Sequence, residues 1–337
     1  MKLQRFNLIC LFFILTFLTS CEKNEITNPI IITSVMNSIS SYSAISGGVI
    51  SDKTLPVLKR GVCWSLYQKP TYADNHTTDS LGSGNFTSKL FNLNADSTYY
   101  VRAYCVTNKD TLYGNQVSFK TTNTILFNPD ITYGIVADID GNEYKTVRIG
   151  TQTWMAENLK VTHYQNGDII PNETDLSKWG DFQITKGAWC WYKNDPSYKN
   201  IYGALYNWYA ASDRRNIAPV GWHVPGKEDW LVLEKYVNPF SMNQSNGGYQ
   251  LCEMTTAHWK NAGDISADTN QTGFTALPAG KVTQPNFGFM DLGASYAYFW
   301  TSTGTMDGSS CVYLNSKLEV DNMQPNCRGF SIRCIKD

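Results

Sequence analysis

The chain has 337 residues, enough for two domains, and its 28 Lys+Arg offset 29 Asp+Glu to a net charge of −1. No Lys/Arg-rich block stands out, so charge offers nucleic acid nothing to bind and that class of partner is set aside. With 10 Trp and 20 Tyr, the chain suits either a contact-making module or a loop-rich fold that keeps these rings inside.

Lys2 and Arg5 lead an apolar run from Phe6 to Thr19, and the stretch ends Leu18-Thr19-Ser20-Cys21. A positive start, a short apolar stretch and small residues before a cleavage point mark a secretory signal. The run is about 14 residues, short of the roughly 20 a helix needs to cross a bilayer, so a cleaved signal over residues 1–20 is expected in place of an anchor. Leu-Thr-Ser-Cys resembles the bacterial lipobox, which implies that Cys21 is acylated and becomes the mature N-terminus. Such lipoproteins carry two or three acyl chains, and each buried methylene contributes about 0.8 kcal/mol to anchoring. Glu22-Lys23-Asn24-Glu25 is similar to the surface-export signal of Bacteroidetes lipoproteins. The expected address is therefore the outer membrane, cell-surface exposed, with the inner leaflet as alternative. Residues 21–28 read as a polar tether.

Short β-type runs follow at Ile30-Val35, Ser43-Ile50, Leu58-Trp64, Asn85-Leu90, Tyr99-Cys105 and Gln116-Thr121. Turn-rich pieces such as Gly47-Gly48 and Asn108-Lys109-Asp110 separate them, a spacing that suggests a β-sandwich over residues 29–122. In Tyr99-Tyr100-Val101-Arg102-Ala103-Tyr104-Cys105, alternation puts Tyr99, Val101, Ala103 and Cys105 on one face. Leu93-Asn94-Ala95-Asp96-Ser97-Thr98-Tyr99 resembles the approach to the sixth strand of fibronectin type III domains, where the Tyr hydroxyl caps a backbone group. With SGGVIS, RGVCWS and TYYVRAYCVTNKDTLYGNQVSF, the stretch is similar to the fibronectin-like repeats of Bacteroidetes surface proteins. That resemblance implies a spacer or interaction domain, and it places Cys63 and Cys105 on neighbouring strands, where a disulfide is one option.

A composition shift near Asn123-Pro129 marks a linker over residues 123–133, and nine of the ten Trp lie beyond it. Asp138, Asp140 and Asn142 alternate as calcium ligands do, but an EF-hand loop needs Gly at its sixth position and Glu at its twelfth, where Glu143 and Ile149 stand. Gly141-Asn142 between Ile135-Ile139 and Tyr144-Ile149 reads better as a hairpin turn. Farther on, residues 204–211 and 225–237 read as helices. In the second, Trp230, Leu233 and Val237 form one stripe, and Glu228 and Asp229 suit the positive end.

DIDGNEYKTVRIGTQTWMAENLK closely resembles the opening of the Fibrobacter succinogenes major paralogous domain. YGALYNWYAA, IAPVGWHVPGKEDW, GFTALPAGK, YFWTST and GFSIRCIKD follow in the same order, so the resemblance covers residues 134–337. It implies a secreted or surface binding module with no chemistry to carry over; a Thr is common in that family where Gly226 stands and would cap the helix better. GWHVPGKEDW and GFSIRC are also similar to the C-type-lectin-like fold of formylglycine-generating enzymes, which implies an α+β arrangement.

Cys10 leaves with the leader and Cys21 takes lipid. Cys63, Cys105, Cys190, Cys252, Cys311, Cys327 and Cys334 remain, an odd number with no CxxC pair, so zinc is not expected. Cys327 and Cys334 stand loosely where formylglycine generators keep two reactive thiols. His76, His163, His223 and His258 show no metal spacing, and no G-x-S-x-G or Walker pattern occurs. No catalytic residue, metal or cofactor is assigned. For ligand binding, Trp189, Trp191 and Tyr192 beside Asn194 and Asp195 have the makings of a sugar platform, with Trp179, Tyr296 and Tyr298 as lesser candidates; the alternative is that the Trp pair packs inward.

The sequence therefore predicts an all-β fibronectin/immunoglobulin-like sandwich followed by an α+β C-type-lectin-like domain. The expected role is non-catalytic recognition of an extracellular glycan or protein by a lipid-anchored protein. The alternatives are a structural subunit of a surface assembly and an enzyme similar to formylglycine generators.

Overall fold

The computed structural model describes residues 31–180, 185–239, 247–254, 257–259, 270–283, 288–305 and 308–337. Cys21 and residues 1–20, the expected leader, lie outside the described residues.

The first seven strands are β1 (Ile31–Thr33), β2 (Ala44–Ile50), β3 (Lys59–Ser65), β4 (Asn75–His76), β5 (Gly84–Leu90), β6 (Thr98–Val106) and β7 (Thr111–Lys120). They form two antiparallel sheets, ordered β1-β2-β5 and β4-β3-β6-β7. Alternation drives the pairing of the sheets: Ala44 and Leu90 from one meet Val62, Trp64, Tyr99, Val101 and Phe119 from the other in one buried cluster. At the corner the Asn94 N–H donates to the Tyr99 hydroxyl at 2.9 Å, the cap that the sequence suggested. Cys63 and Cys105 are both free and buried. β3 pairs with β6 so that Cys63 faces Arg102 and Cys105 faces Arg60; neighbouring strands do carry them, but three residues out of step.

Residues 123–133 run along the second half of the chain. Phe127, Ile131 and Tyr133 pack on a core cluster containing Trp154, Trp230, Trp259 and Phe274, and Ile125 packs beside Ile201 and Tyr202.

In the second half, β8 (Gly134–Ala137), β9 (Glu143–Ile149) and β10 (Gln152–Met155) precede β11 (Trp189–Cys190), α1 (Lys199–Tyr202), β12 (Leu205–Tyr206) and α2 (Trp208–Ala211). Then come β13 (Trp222–His223), α3 (Lys227–Val237), β14 (Ala279–Val282), β15 (Phe289–Leu292), β16 (Ala297–Thr305), β17 (Gly308–Leu314), β18 (Leu318–Gln324) and β19 (Ile335–Lys336). One sheet runs β13-β19-β10-β9-β8, so the last strand sits beside the first ones; β16-β17-β18 form a second antiparallel sheet.

β8 and β9 form the hairpin expected around Gly141, which holds φ +76°. The Asp138 carboxylate accepts from the Asp140 and Asn142 backbone N–H groups and the Tyr144 hydroxyl, and Asp140 accepts from Thr162 and His163. Both carboxylates thus serve the turn and its neighbours.

The expected helix over 204–211 is instead a strand and a short helix. Tyr206 exchanges backbone hydrogen bonds with Phe330, and Asn207 then opens α2 by accepting from Ala210 N–H at 3.0 Å. A side chain that caps a helix ends the strand before it. α3 matches its prediction, with Trp230, Leu233 and Val237 buried. Gly226 has no side chain to cap with, and the need is met from elsewhere. The Asp229 carboxylate accepts from Gly226 N–H at 2.8 Å, and the Thr303 hydroxyl accepts from Lys227 N–H at 3.0 Å.

The GFSIRC segment carries the polar hub of this half. Arg333 is fully buried; its Nε and Nη2 donate to Asn158 Oδ1 at 3.0 and 2.8 Å, and its Nη atoms reach the carbonyls of Met155, Phe274 and Thr275. Its guanidinium lies 4.6 Å from the Phe274 ring centroid. Burial lowers its pKa to about 9, yet it stays a cation near neutral pH, held by oxygens and ring faces.

Candidate functional site

The aromatic run predicted as a sugar platform divides between core and surface. Trp189, opposite Tyr206 in β11–β12, is buried and its indole N–H donates to the Ile170 carbonyl at 3.0 Å. Trp179 and Tyr192 are buried in a neighbouring cluster with Cys190 and Val282, and the Trp179 indole N–H donates to the Glu173 carbonyl. Trp189, Trp179 and Tyr192 therefore pack inward, and the alternative of an inward Trp pair holds for Trp189 alone. Trp191 is half-buried, edge-to-face on Trp189 at 4.6 Å, with Lys199 Nζ 5.8 Å from its ring.

Asn194 is engaged by a neighbouring segment and Asp195 within its own loop. Lys193 and Asn194 both hold positive φ, Asn194 Nδ2 donates to the Thr174 carbonyl, and the exposed Asp195 accepts from Ser197 N–H. One ring at the surface beside two loop-bound side chains is less than a platform.

A better candidate lies on β16 and β17. Register places Tyr298 directly opposite Tyr313, and alternation puts Tyr296 and Trp300 on the same face as Tyr298. The inner end of this face, with Trp300 and Cys311, enters the core. At its outer end Tyr296 and Tyr313 are only half-buried. Ring centroids lie 6.1 Å apart for Tyr296–Tyr298, 6.0 Å for Tyr296–Tyr313 and 5.0 Å for Tyr298–Tyr313, the last edge-to-face. Tyr298 also stacks on Phe330 at 5.5 Å, which fixes its plane.

The β14–β15 hairpin adds charge to the rim. Lys281 Nζ and Asp291 Oδ2 are 2.8 Å apart, and the Tyr298 hydroxyl donates to the same Asp291 oxygen at 2.8 Å. Lys281 Nζ also lies 4.4 Å from the Tyr298 ring centroid. Asp291 holds φ +63°, a left-handed conformation that non-glycine residues seldom adopt and that places its carboxylate here. Burial, followed by the hydrogen bond to Asp291, raises the Tyr298 phenol above its usual range, and burial pushes Tyr313 up to about 12. Both phenols stay neutral at physiological pH. The result is an aromatic surface with a preset cation–anion pair at its edge. It offers flat apolar faces for stacking and polar groups for hydroxyls, and no group in it is set up as a nucleophile.

The sequence offered Tyr296 and Tyr298 as lesser candidates. It missed Tyr313, which only strand register brings across, and Lys281 and Asp291, which a hairpin delivers. The GFTALPAGK motif contains Lys281 and was the one available signal.

Of the thiols, Cys311 lies at the inner, buried end of this face. Cys334 is fully buried and Cys327 nearly so, and burial drives the Cys334 thiol pKa far up. His163 pairs with Asp140 at 2.6 Å, His223 with Asp337 at 2.7 Å and His258 with Glu253 at 2.7 Å. Among the described residues, no group of three or more His, Cys, Asp or Glu is arranged to hold a metal ion, and no helix is long and apolar enough to cross a membrane.

The family model of the Fibrobacter succinogenes major domain matches residues 147–336. Among solved structures, two of the sensor domain of the anti-sigma factor RsgI4 in Pseudobacteroides cellulosolvens show similarity. One has a TM-score of 0.21 at 16% identity and covers 27% of this chain and 74% of that one. The other, a short form, has a TM-score of 0.22 at 15% identity and covers 28% and 97%. At such scores the likeness adds nothing to the reading of the site. No curated protein matches the chain in sequence.

Proposed function

Because the chain belongs to the Fibrobacter succinogenes major domain family, matched over residues 147–336, we propose that it is a non-catalytic recognition protein of the bacterial cell surface. In this reading Cys21 carries the lipid anchor, a fibronectin-like sandwich acts as spacer, and a C-type-lectin-like module presents the tyrosine face to an extracellular glycan. The observation that carries it is the half-exposed pair Tyr296 and Tyr313 beside the Lys281–Asp291 ion pair. Pyranose rings stack on aromatic faces while carboxylate and ammonium groups take their hydroxyls. The depth of Cys334 and Cys327 supports the non-catalytic reading, since a nucleophilic thiol needs access and a base.

A glycan array on the full chain tests the role. Hits should weaken by roughly 30-fold in Tyr313→Ala, the loss expected from one well-placed aromatic contact, while Trp191→Ala leaves them unchanged. An array with no hits, or hits that depend on Trp191 alone, rejects this face; a protein ligand captured through Tyr313 would keep the face and replace the glycan. Metabolic labelling with palmitate, lost in Cys21→Ser, checks the anchor.

A further inference from the structure

The two halves of the chain meet at a buried pair of titratable side chains. Glu253 and His258 have side chains 0% and 1% exposed. His258 Nδ1 lies 2.9 and 2.7 Å from the two Glu253 oxygens, and Nε2 lies 3.2 Å from Asn123 Oδ1. Glu253 Oε1 also accepts from Leu126 N–H at 2.8 Å. Asn123 and Leu126 lie in the connecting segment, and Glu253 and His258 in the second half. Next to them the Ala95 N–H, at the corner of the sandwich, donates to the Ala257 carbonyl at 2.9 Å. Among the described residues, every side-chain hydrogen bond of the pair outside itself therefore runs to the connection.

We propose that Glu253, His258 and Asn123 form a proton-dependent latch that holds the connecting segment, and with it the sandwich, against the second half. The pair works as a unit that shares one proton between a carboxylate and an imidazole. With one proton it is neutral overall, whichever partner holds it. Loss of that proton leaves a net negative charge with no water to solvate it here.

The neighbouring groups do not change this balance. Tyr202 meets the His258 ring edge-on at 5.7 Å, and burial raises its phenol out of the physiological range. Cys252 is buried and its thiol is likewise raised. Tyr198 and Asp96 bear on Tyr202 at longer range, and Asp96 is held by Lys120 at 2.6 Å. Burial pushes the Glu253 carboxyl upward against the pull of His258, so the closed junction keeps the shared proton more firmly than the open one.

The sign follows from that direction. In the open, hydrated junction the Glu253 carboxyl gives up its proton in the ordinary carboxylate range, near pH 4.3, and in the closed one burial holds that proton to higher pH. The closed state therefore binds more protons than the open one above the ordinary carboxylate range. The latch is tightest on the acid side of that range and loosens as pH rises through the raised Glu253 value.

Hydrogen exchange at the Leu126 amide of the full chain reads the latch directly. After correction for intrinsic exchange, protection should be highest at acid pH and fall roughly tenfold by about pH 8, the effect of losing one charge-assisted bond. Glu253→Gln, which cannot exchange a proton, should lower protection and leave it independent of pH. Asn123→Ala removes the connecting-segment partner without touching the core, and should lower Leu126 protection while the thermal transition of the second half stays in place. Wild-type protection that is flat with pH, or Glu253→Gln that keeps the wild-type profile, overturns the proposal. Should Glu253→Gln fail to fold, the wild-type profile and Asn123→Ala decide it.

Discussion

The sandwich and the second half solve the same problem, satisfying backbone groups inside a core, by different means. In the sandwich, five of the strands run from 7 to 10 residues, and ladders between backbones do most of the work. In the second half, β11, β12, β13 and β19 are two residues each. Ladders that short leave carbonyls and amides unmet, and side chains take over: Arg333 for the carbonyls of Met155, Phe274 and Thr275, Asn207 for Ala188 N–H and the Lys186 carbonyl. Where strands are long, pattern specifies the fold; where they are two residues long, particular polar residues do.

The contrast breaks most visibly at Arg333. Arg333→Met strands three carbonyls and Asn158 Oδ1, each worth about 1–3 kcal/mol when buried and unmet, so a loss near 5 kcal/mol is expected in the second half. Calorimetry should show that transition falling while the transition of the sandwich holds. A drop below about 1 kcal/mol, within the range of an ordinary surface change, would mean that the hub is dispensable.

Asn207→Ala is a smaller blow of the same kind. It removes the cap of α2 and both strap bonds, for roughly 2 kcal/mol; urea unfolding monitored by Trp fluorescence gives the number. Tyr99→Phe is the matched change in the sandwich. It deletes one hydroxyl, leaves the ring in place and costs about 1 kcal/mol. If Tyr99→Phe proves more damaging than Asn207→Ala, the sandwich leans on its corner more than on its ladders, and the distinction drawn between the halves fails.

The same distinction explains what the sequence disclosed. Period-two alternation in Tyr99–Cys105 announced β6 because a long half-buried strand must alternate. The stripe of Trp230, Leu233 and Val237 announced α3 for the corresponding helical reason. Residues 204–211 misled, since an apolar run of that length fits a helix or a buried strand equally and the Asn207 cap decides between them only in three dimensions. The tyrosine face was half legible. Tyr296 and Tyr298 share a face by spacing alone, whereas Tyr313, Lys281 and Asp291 arrive through register and a hairpin that no local pattern encodes. The Trp run drew attention by its composition, yet rings packed in a core and rings on a surface look alike in a sequence.

Cys63 and Cys105 in the sandwich, and Cys190, Cys252 and Cys334 beyond it, are free thiols out of reach of solvent. Each half therefore carries its own internal clock. An alkylating reagent reads nothing until the surrounding strands part, and the time course at each position then reports how often that half opens.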